Sequence, residues 1–247
     1  MQLISHVDDL PRTSNVRAQL VALWVTGVSL VILAIAYVAF PGFWPPMSPH
    51  LSADQVAGFY RDNAAWIRFS MVTFNLFGVM LLPLFCVVVV QMKRMATQSA
   101  VFAYCYLSAT VSGATIFALA AVFFATAAFR PDRDPELIMV LNDLGWTVFV
   151  APVGMALTQN VMLALAIYHD DGANPVFPRW VGHLAVLVTL AMAPAATSVA
   201  FNSGPLAWDG LISFSLRNIA FGAFLVVMLV VLRKAVHRQA IEEGLTL

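Results

Sequence analysis

Hydrophobic positions in this chain gather into long runs separated by short polar segments, and the run lengths alone predict the fold. Six runs, at residues 19–40, 69–91, 100–129, 138–168, 179–201 and 212–233, each meet the roughly 20-residue length a helix needs to cross a bilayer. The expected architecture is all-α: a polytopic membrane protein, one domain over residues 1–247, with six transmembrane helices and one short extracytoplasmic amphipathic helix.

That short helix is read from "SADQVAGFYRDNAAW" in the longest connection. Ser52 and Gln55 have capping-box spacing, in which each side chain satisfies a free amide at the helix start. Val56, Phe59, Tyr60 and Ile67 recur at helical spacing, leaving Asp54, Arg61 and Asp62 on another face. Two placements fit: a helix lying on the outer membrane surface and running into the second span, or a short lid packed on the bundle. Three spans carry an interior proline, Pro83, Pro152 and Pro194. Each removes a backbone hydrogen bond and favours a bend, and bends at Pro152 and Pro194 would splay two helices and open a cavity. Proline is also simply more frequent in membrane helices than in soluble ones. In the third span, Ser108 with Ser112 and Ala109 with Gly113 have the small-x-x-x-small spacing of close helix contact, so this helix is central or faces a partner. The first and last three spans show no inverted repeat.

Composition agrees with the pattern. The chain is 61% hydrophobic and 11% charged, where a soluble domain carries about 25% charged residues. Thirteen basic and thirteen acidic residues leave no patch for nucleic acid and no acidic tail. Eight basic residues fall on the side of the termini (Arg12, Arg17, Lys93, Arg94, Arg179, Arg233, Lys234, Arg238). The other side has five, Arg61, Arg68, Arg130, Arg133 and Arg217. The positive-inside rule therefore predicts cytoplasmic N- and C-termini. Cys86 and Cys105 fall within spans toward that side, where a structural disulfide is not expected and inert packing is. The first twenty residues are too long and too acidic for a signal leader, so the first run is read as a retained helix.

Chemistry then narrows to a few polar groups within apolar sequence. The stretch "LNDLGWTVFVAPVGMALTQN", residues 141–160, places an acid, two asparagines and a glutamine inside the fourth span. An ionisable group in a span costs a few kcal/mol by insertion scales and faces the bundle interior with a partner. Depth nominates Arg68 and Arg217 as partners for Asp143. Arg68 and Asn75 share one helical face, and Asn142, Trp146, Val153 and Asn160 form a comparable stripe on the fourth helix. Gln159 and Asn160 lie near mid-bilayer. In the functional reading Arg68, Asn75, Asn142, Asp143, Trp146, Gln159, Asn160 and Arg217 line an outward-facing cavity for a small apolar or amphipathic compound. In the structural reading the same groups are interhelical hydrogen bonds of roughly 0.6 to 2 kcal/mol each, or, for Asp143, an acid complementing the helix dipole.

Other chemistries find no residues to carry them. Of His6, His50, His169, His183 and His237 only His183 falls in a span, so paired haem ligation is not expected. Lys93 and Lys234 sit at span ends, where no retinal Schiff base could form. No phosphate loop, zinc motif or nucleophile elbow appears, so neither cofactor nor metal is expected. His169, Asp170, Asp171 and His183 match no metal spacing, and "HDDGANP" reads as turn chemistry with Pro178 suited to the next helix's first turn.

The segments "PPMSPHLSADQVAGFYRDN", "AAFRPDRDPELIMVLNDLGW", "FPRWVGH" and "SGPLAWDG" resemble a bacterial family of six-helix membrane proteins of unknown function. The resemblance implies the six-span fold and a bacterial cytoplasmic membrane, and supplies no catalytic residues. The favoured function is binding or transport of the small compound. The alternative is a non-catalytic subunit of a membrane complex or homodimer, joined through the third span. A third reading is a cofactor-free intramembrane isomerase or cyclase using Asp143 as the acid. Membrane lipid is the one partner common to all three.

Overall fold

In the computed structural model, which describes residues 12–96 and 100–245, six helical stretches are long and apolar enough to cross a membrane. They are Asn15–Ala39, Ala53–Met92, Val101–Phe129, Pro135–Tyr168, Arg179–Ala200 and Leu211–Glu242. Large apolar side chains cover the perimeter, among them Trp24, Val38, Leu187, Leu190, Ile219 and Val226. Such a surface is tolerated only against lipid or another apolar partner. The chain is a multi-pass membrane protein folded as an all-α bundle. The leader ahead of Arg12, with His6, lies outside the described residues.

The first span is α1, Arg12–Ala39. The second is divided into α2, Ala53–Val79, and α3, Leu82–Met92. The third, α4, Val101–Phe129, is uninterrupted. The fourth is divided into α5, Pro135–Val150, and α6, Gly154–Tyr168. The fifth, α7, Arg179–Met192, tightens into a 3-10 segment, Ala193–Ala200. The sixth opens with a π-helical turn, Leu211–Leu216, and continues as α8, Arg217–Glu242.

Local chemistry accounts for these limits. Ser52 Oγ accepts from the Gln55 amide at 3.3 Å and Gln55 Oε1 accepts from the Ser52 amide at 2.9 Å, the expected capping box. From that cap α2 runs unbroken into the second span, so this span begins at Ala53 and not near residue 69. Val56, Tyr60 and Ile67 are buried in the protein core. The amphipathic turns therefore pack onto the bundle, as in the lid alternative. Asp134 caps α5 through the Glu136 amide at 2.9 Å, with Pro135 in the first turn. The three interior prolines mark three changes of helix: Pro83 follows the 80–81 break, Pro152 lies in the 151–153 break, and Pro194 begins the 3-10 segment.

Helix α4 is central, packing on α2, α3, α5 and α6. Its small residues divide between faces. Ala109 is buried, whereas Ser108 and Ser112 are exposed, with Ser112 Oγ donating to the Ser108 carbonyl at 2.9 Å. Gly145 of α5 lies under the Phe124 ring, where a Cβ would come within 2.6 Å of Cε1. Only glycine allows that approach of α4 and α5.

The two ends of the bundle are closed differently. At the far end, which carries the loops 40–52, 130–134 and 201–210, an aromatic cluster forms around Phe43, with ring centroids 5.2 Å from Trp146 and 5.0 Å from Phe149. Phe124 stands edge-on to Trp146 at 5.1 Å, and Trp208 Nε1 ties two loops by donating to the Met47 carbonyl at 2.9 Å. At the end where α1 begins and α8 finishes, the terminal end, three buried glutamines from α1, α3 and α8 meet. Gln91 Nε2 donates to Gln19 Oε1 at 2.6 Å and Gln239 Oε1 at 2.9 Å, and Gln19 Nε2 donates to Gln239 Oε1 at 3.2 Å. Arg94 donates to Gln91 Oε1 and pairs with Glu242, each at 2.6 Å.

Candidate ligand-binding cavity

A partly open cavity of about 140 Å³ lies between residues of α2 to α8. A liquid water occupies about 30 Å³, and an apolar cavity of roughly 150 Å³ can hold a benzene ring. Its wall on the unbroken helix is Thr110, Gly113, Ala114 and Phe117 of α4. The remaining wall comes from places where the other helices are interrupted. Leu81 and Leu82 come from the α2/α3 break, Pro152 and Val153 from the α5/α6 break, Met192 from the last turn of α7. Arg217 and Asn218 stand where the π turn becomes α8. Phe85, Phe149 and Phe221 complete a mostly apolar lining, and Gln159 adds one amide. Irregular backbone at membrane depth is tolerated where it is buried in protein or lines a cavity, and π turns recur at functional sites.

Arg217 is the one charged side chain of this lining. Its Nη2 donates to the Phe149 carbonyl at 2.6 Å and its Nη1 to Asn218 Oδ1 at 3.3 Å, and the guanidinium lies 4.9 Å from the Phe149 ring centroid. The contact to Phe149 has a local cause. In an unbroken helix that carbonyl would accept from the Val153 amide, but Val153 bonds to Ala151 instead, at 2.7 Å. Arg217 replaces the missing helix bond. Its Nε is buried without a hydrogen-bond partner. Among the described residues, no carboxylate oxygen lies within 4.0 Å of its nitrogens.

The eight residues expected from sequence separate into three groups. Gln159 and Arg217 line the cavity, with Gln159 Nε2 donating to the buried Tyr106 hydroxyl at 3.1 Å. Asn142, Asp143, Trp146 and Asn160 are packed among the helices and do not line it. Tyr60 Oη donates to Asn142 Oδ1 at 3.2 Å, and Asn142 Nδ2 donates to Asp143 Oδ1 at 3.3 Å. Trp146 is fully buried in the aromatic cluster, with Nε1 unpartnered, and Asn160 Oδ1 is likewise unpartnered. Arg68 and Asn75 are exposed on the outer face of α2, beside Val72 and Leu76.

Two expectations are corrected by these placements. Neither nominated cation pairs with Asp143: Arg68 Nε turns back to the Ala64 carbonyl at 3.0 Å, and Arg217 serves the Phe149 carbonyl. The physical reason is that α2 buries the face of Tyr60, Ile67, Met71 and Phe74, and Arg68 and Asn75 lie off that face. The stripe of Asn142, Trp146, Val153 and Asn160 is buried along its whole length, but it does not line the cavity: the helix breaks at 151–153 and Val153 alone of the four reaches it.

The polar turn at the terminal end is structural, as its composition indicates. Asp170 accepts from the Ala96 amide at 3.0 Å and the Val176 amide at 2.8 Å, His169 Nδ1 bonds the Leu165 carbonyl, and His183 bonds the Tyr168 hydroxyl. Tyr106 was not among the residues singled out from sequence. A tyrosine in an apolar run carries no signal until its neighbour, here Gln159, is known.

No protein-family model matches the chain, and no curated protein or solved structure shows significant similarity to it, so the reading of the cavity rests on its own residues.

Proposed function

We propose that this protein resides in a bacterial cytoplasmic membrane with both termini on the cytoplasmic side, and binds or transports a small, largely apolar or amphipathic compound. The compound occupies the cavity, entered from the outer side, with its apolar part against Phe85, Phe117 and Phe221 and its polar part at Arg217, Asn218 or Gln159. The observation that carries this reading is the convergence of interruptions in four spans on one cavity. Broken membrane helices that meet around a central space are a recurring way to build a binding site whose walls can move. The excess of Lys and Arg on the terminal side supports the orientation.

The test compares uptake and metabolite profiles of a deletion strain carrying the wild-type gene, Ala156→Phe or Ser112→Leu. Ala156→Phe places a ring in the cavity, and the expected result is the deletion phenotype with wild-type amounts of protein in the membrane. Normal uptake by that variant would remove the cavity reading. A second reading, a subunit that docks through α4, is favoured by the exposed Ser108 and Ser112. It gains if Ser112→Leu alone changes phenotype and shifts the protein to a smaller assembly. Gly113 is unsuited to this comparison, because it lines the cavity.

A further inference from the structure

We propose that the occupant of the cavity is an anion: a small apolar body bearing one carboxylate, engaged by Arg217 and facing the start of α6. This rests on the cavity being a binding site, and adds the charge class of its ligand.

Three observations point the same way. The first is the unmatched charge of Arg217. A cation away from water is unfavourable unless paired, and no carboxylate among the described residues pairs with it. The Phe149 carbonyl belongs to the C-terminal turn of α5, whose dipole is equivalent to roughly half a negative charge, so about half of the guanidinium charge stays unbalanced. The second is a set of unused polar positions at the same place. Arg217 carries five N–H donors, of which the Phe149 carbonyl and Asn218 take two. The guanidinium can therefore still donate to a carboxylate oxygen after those two contacts are made. The third is the backbone. Helix α6 starts at the cavity through Val153, Met155 and Ala156 and has no side-chain cap, so its positive end faces the same space as Arg217. Half-helix starts that meet anionic groups at membrane depth are an established use of broken spans.

The apolar remainder of the lining sets the rest of the ligand. About 140 Å³ accommodates a body of benzene size, and Phe85, Phe117, Met155 and Phe221 offer it no hydrogen-bonding group. A cation would set like charge against Arg217, and a zwitterion would bring an ammonium for which the lining offers no carboxylate.

Equilibrium binding of radiolabelled benzoate, benzamide and benzylammonium to the purified full chain in nanodiscs tests the charge class. These probes share a ring and differ in charge. The expected order is benzoate tighter than benzamide by about tenfold or more, the worth of a hydrogen bond to a charged group, with benzylammonium weakest. Arg217→Gln should erase the preference, bringing the affinity for benzoate down to that for benzamide, and Arg217→Lys should retain part of it. Ala156→Phe should abolish binding of all three. Equal binding of benzoate and benzamide to the wild-type chain would overturn the anion assignment and leave the cavity reading standing. No binding of any probe to the wild-type chain would end both. A dodecanoate arm separates the sources of the carboxylate: preference for benzoate assigns the site to small free acids, and preference for dodecanoate to fatty acids drawn from the membrane.

Discussion

The glutamine cluster at the terminal end and the cavity six residues along α3 from it are built from similar polar groups used in opposite ways. Between Phe85 and Gln91 lie about 9 Å of helix. In the cluster, Gln19, Gln91 and Gln239 satisfy one another, and the helices that carry them are continuous there. At the cavity wall, Arg217 Nε is unpartnered, and the surrounding spans are interrupted. Satisfied amides in an apolar surrounding lock helices in one register, whereas unsatisfied groups beside an open space leave room for something else to satisfy them. The first region is closed by its own side chains, and the second is not.

The comparison can be broken most sharply at the cluster. Gln91→Leu removes three side-chain contacts at once and leaves buried partners on α1 and α8, so unfolding in an SDS titration should show a loss of about 3 kcal/mol. A loss below about 1 kcal/mol would mean that the cluster is not what closes this end. Next in size is a pair of glycines. Gly145→Ala drives a Cβ into Phe124, which is enclosed by other aromatics, and should cost about 2 kcal/mol. Gly78→Ala meets Phe117 at a similar 2.5 Å, but Phe117 borders the cavity and can turn into it, so the cost should be about half as large. Equal costs would show that the cavity gives its walls no freedom. Ala156→Phe should change stability by less than about 1 kcal/mol in the same titration, since it fills existing space. Smallest of all, Glu242→Gln breaks only the Arg94 and Arg238 pairs at the partly exposed rim, and should shift the midpoint by no more than about 0.5 kcal/mol, less at high salt.

Much of the fold was legible before any coordinates. Run length marked the spans, Ser52 and Gln55 marked a helix start, and Pro83, Pro152 and Pro194 marked three of the four interruptions, the π turn at Leu211–Leu216 having no such mark. The candidate site was legible only in part. Gln159 and Arg217 stood out as polar residues in apolar sequence and do line the cavity, but Arg68 and Asn75 stood out equally and face outward. Gln19 and Gln91 sit at the edges of apolar runs, where a polar residue is unremarked, and Gln239 lies beyond the sixth run altogether.

By itself the sequence determined the class of solvent around this protein, the number of crossings and the proline-marked places where helices give way, because each depends on residues close together in the chain. Tertiary structure alone decided which polar side chain meets which. That outcome depends on the rotation of each helix about its axis and on the reset of rotation at every break, which are set by packing between distant segments. Arg217 acquires its meaning only there, where the Phe149 carbonyl takes Nη2, Asn218 takes Nη1, and no carboxylate answers the charge among the described residues.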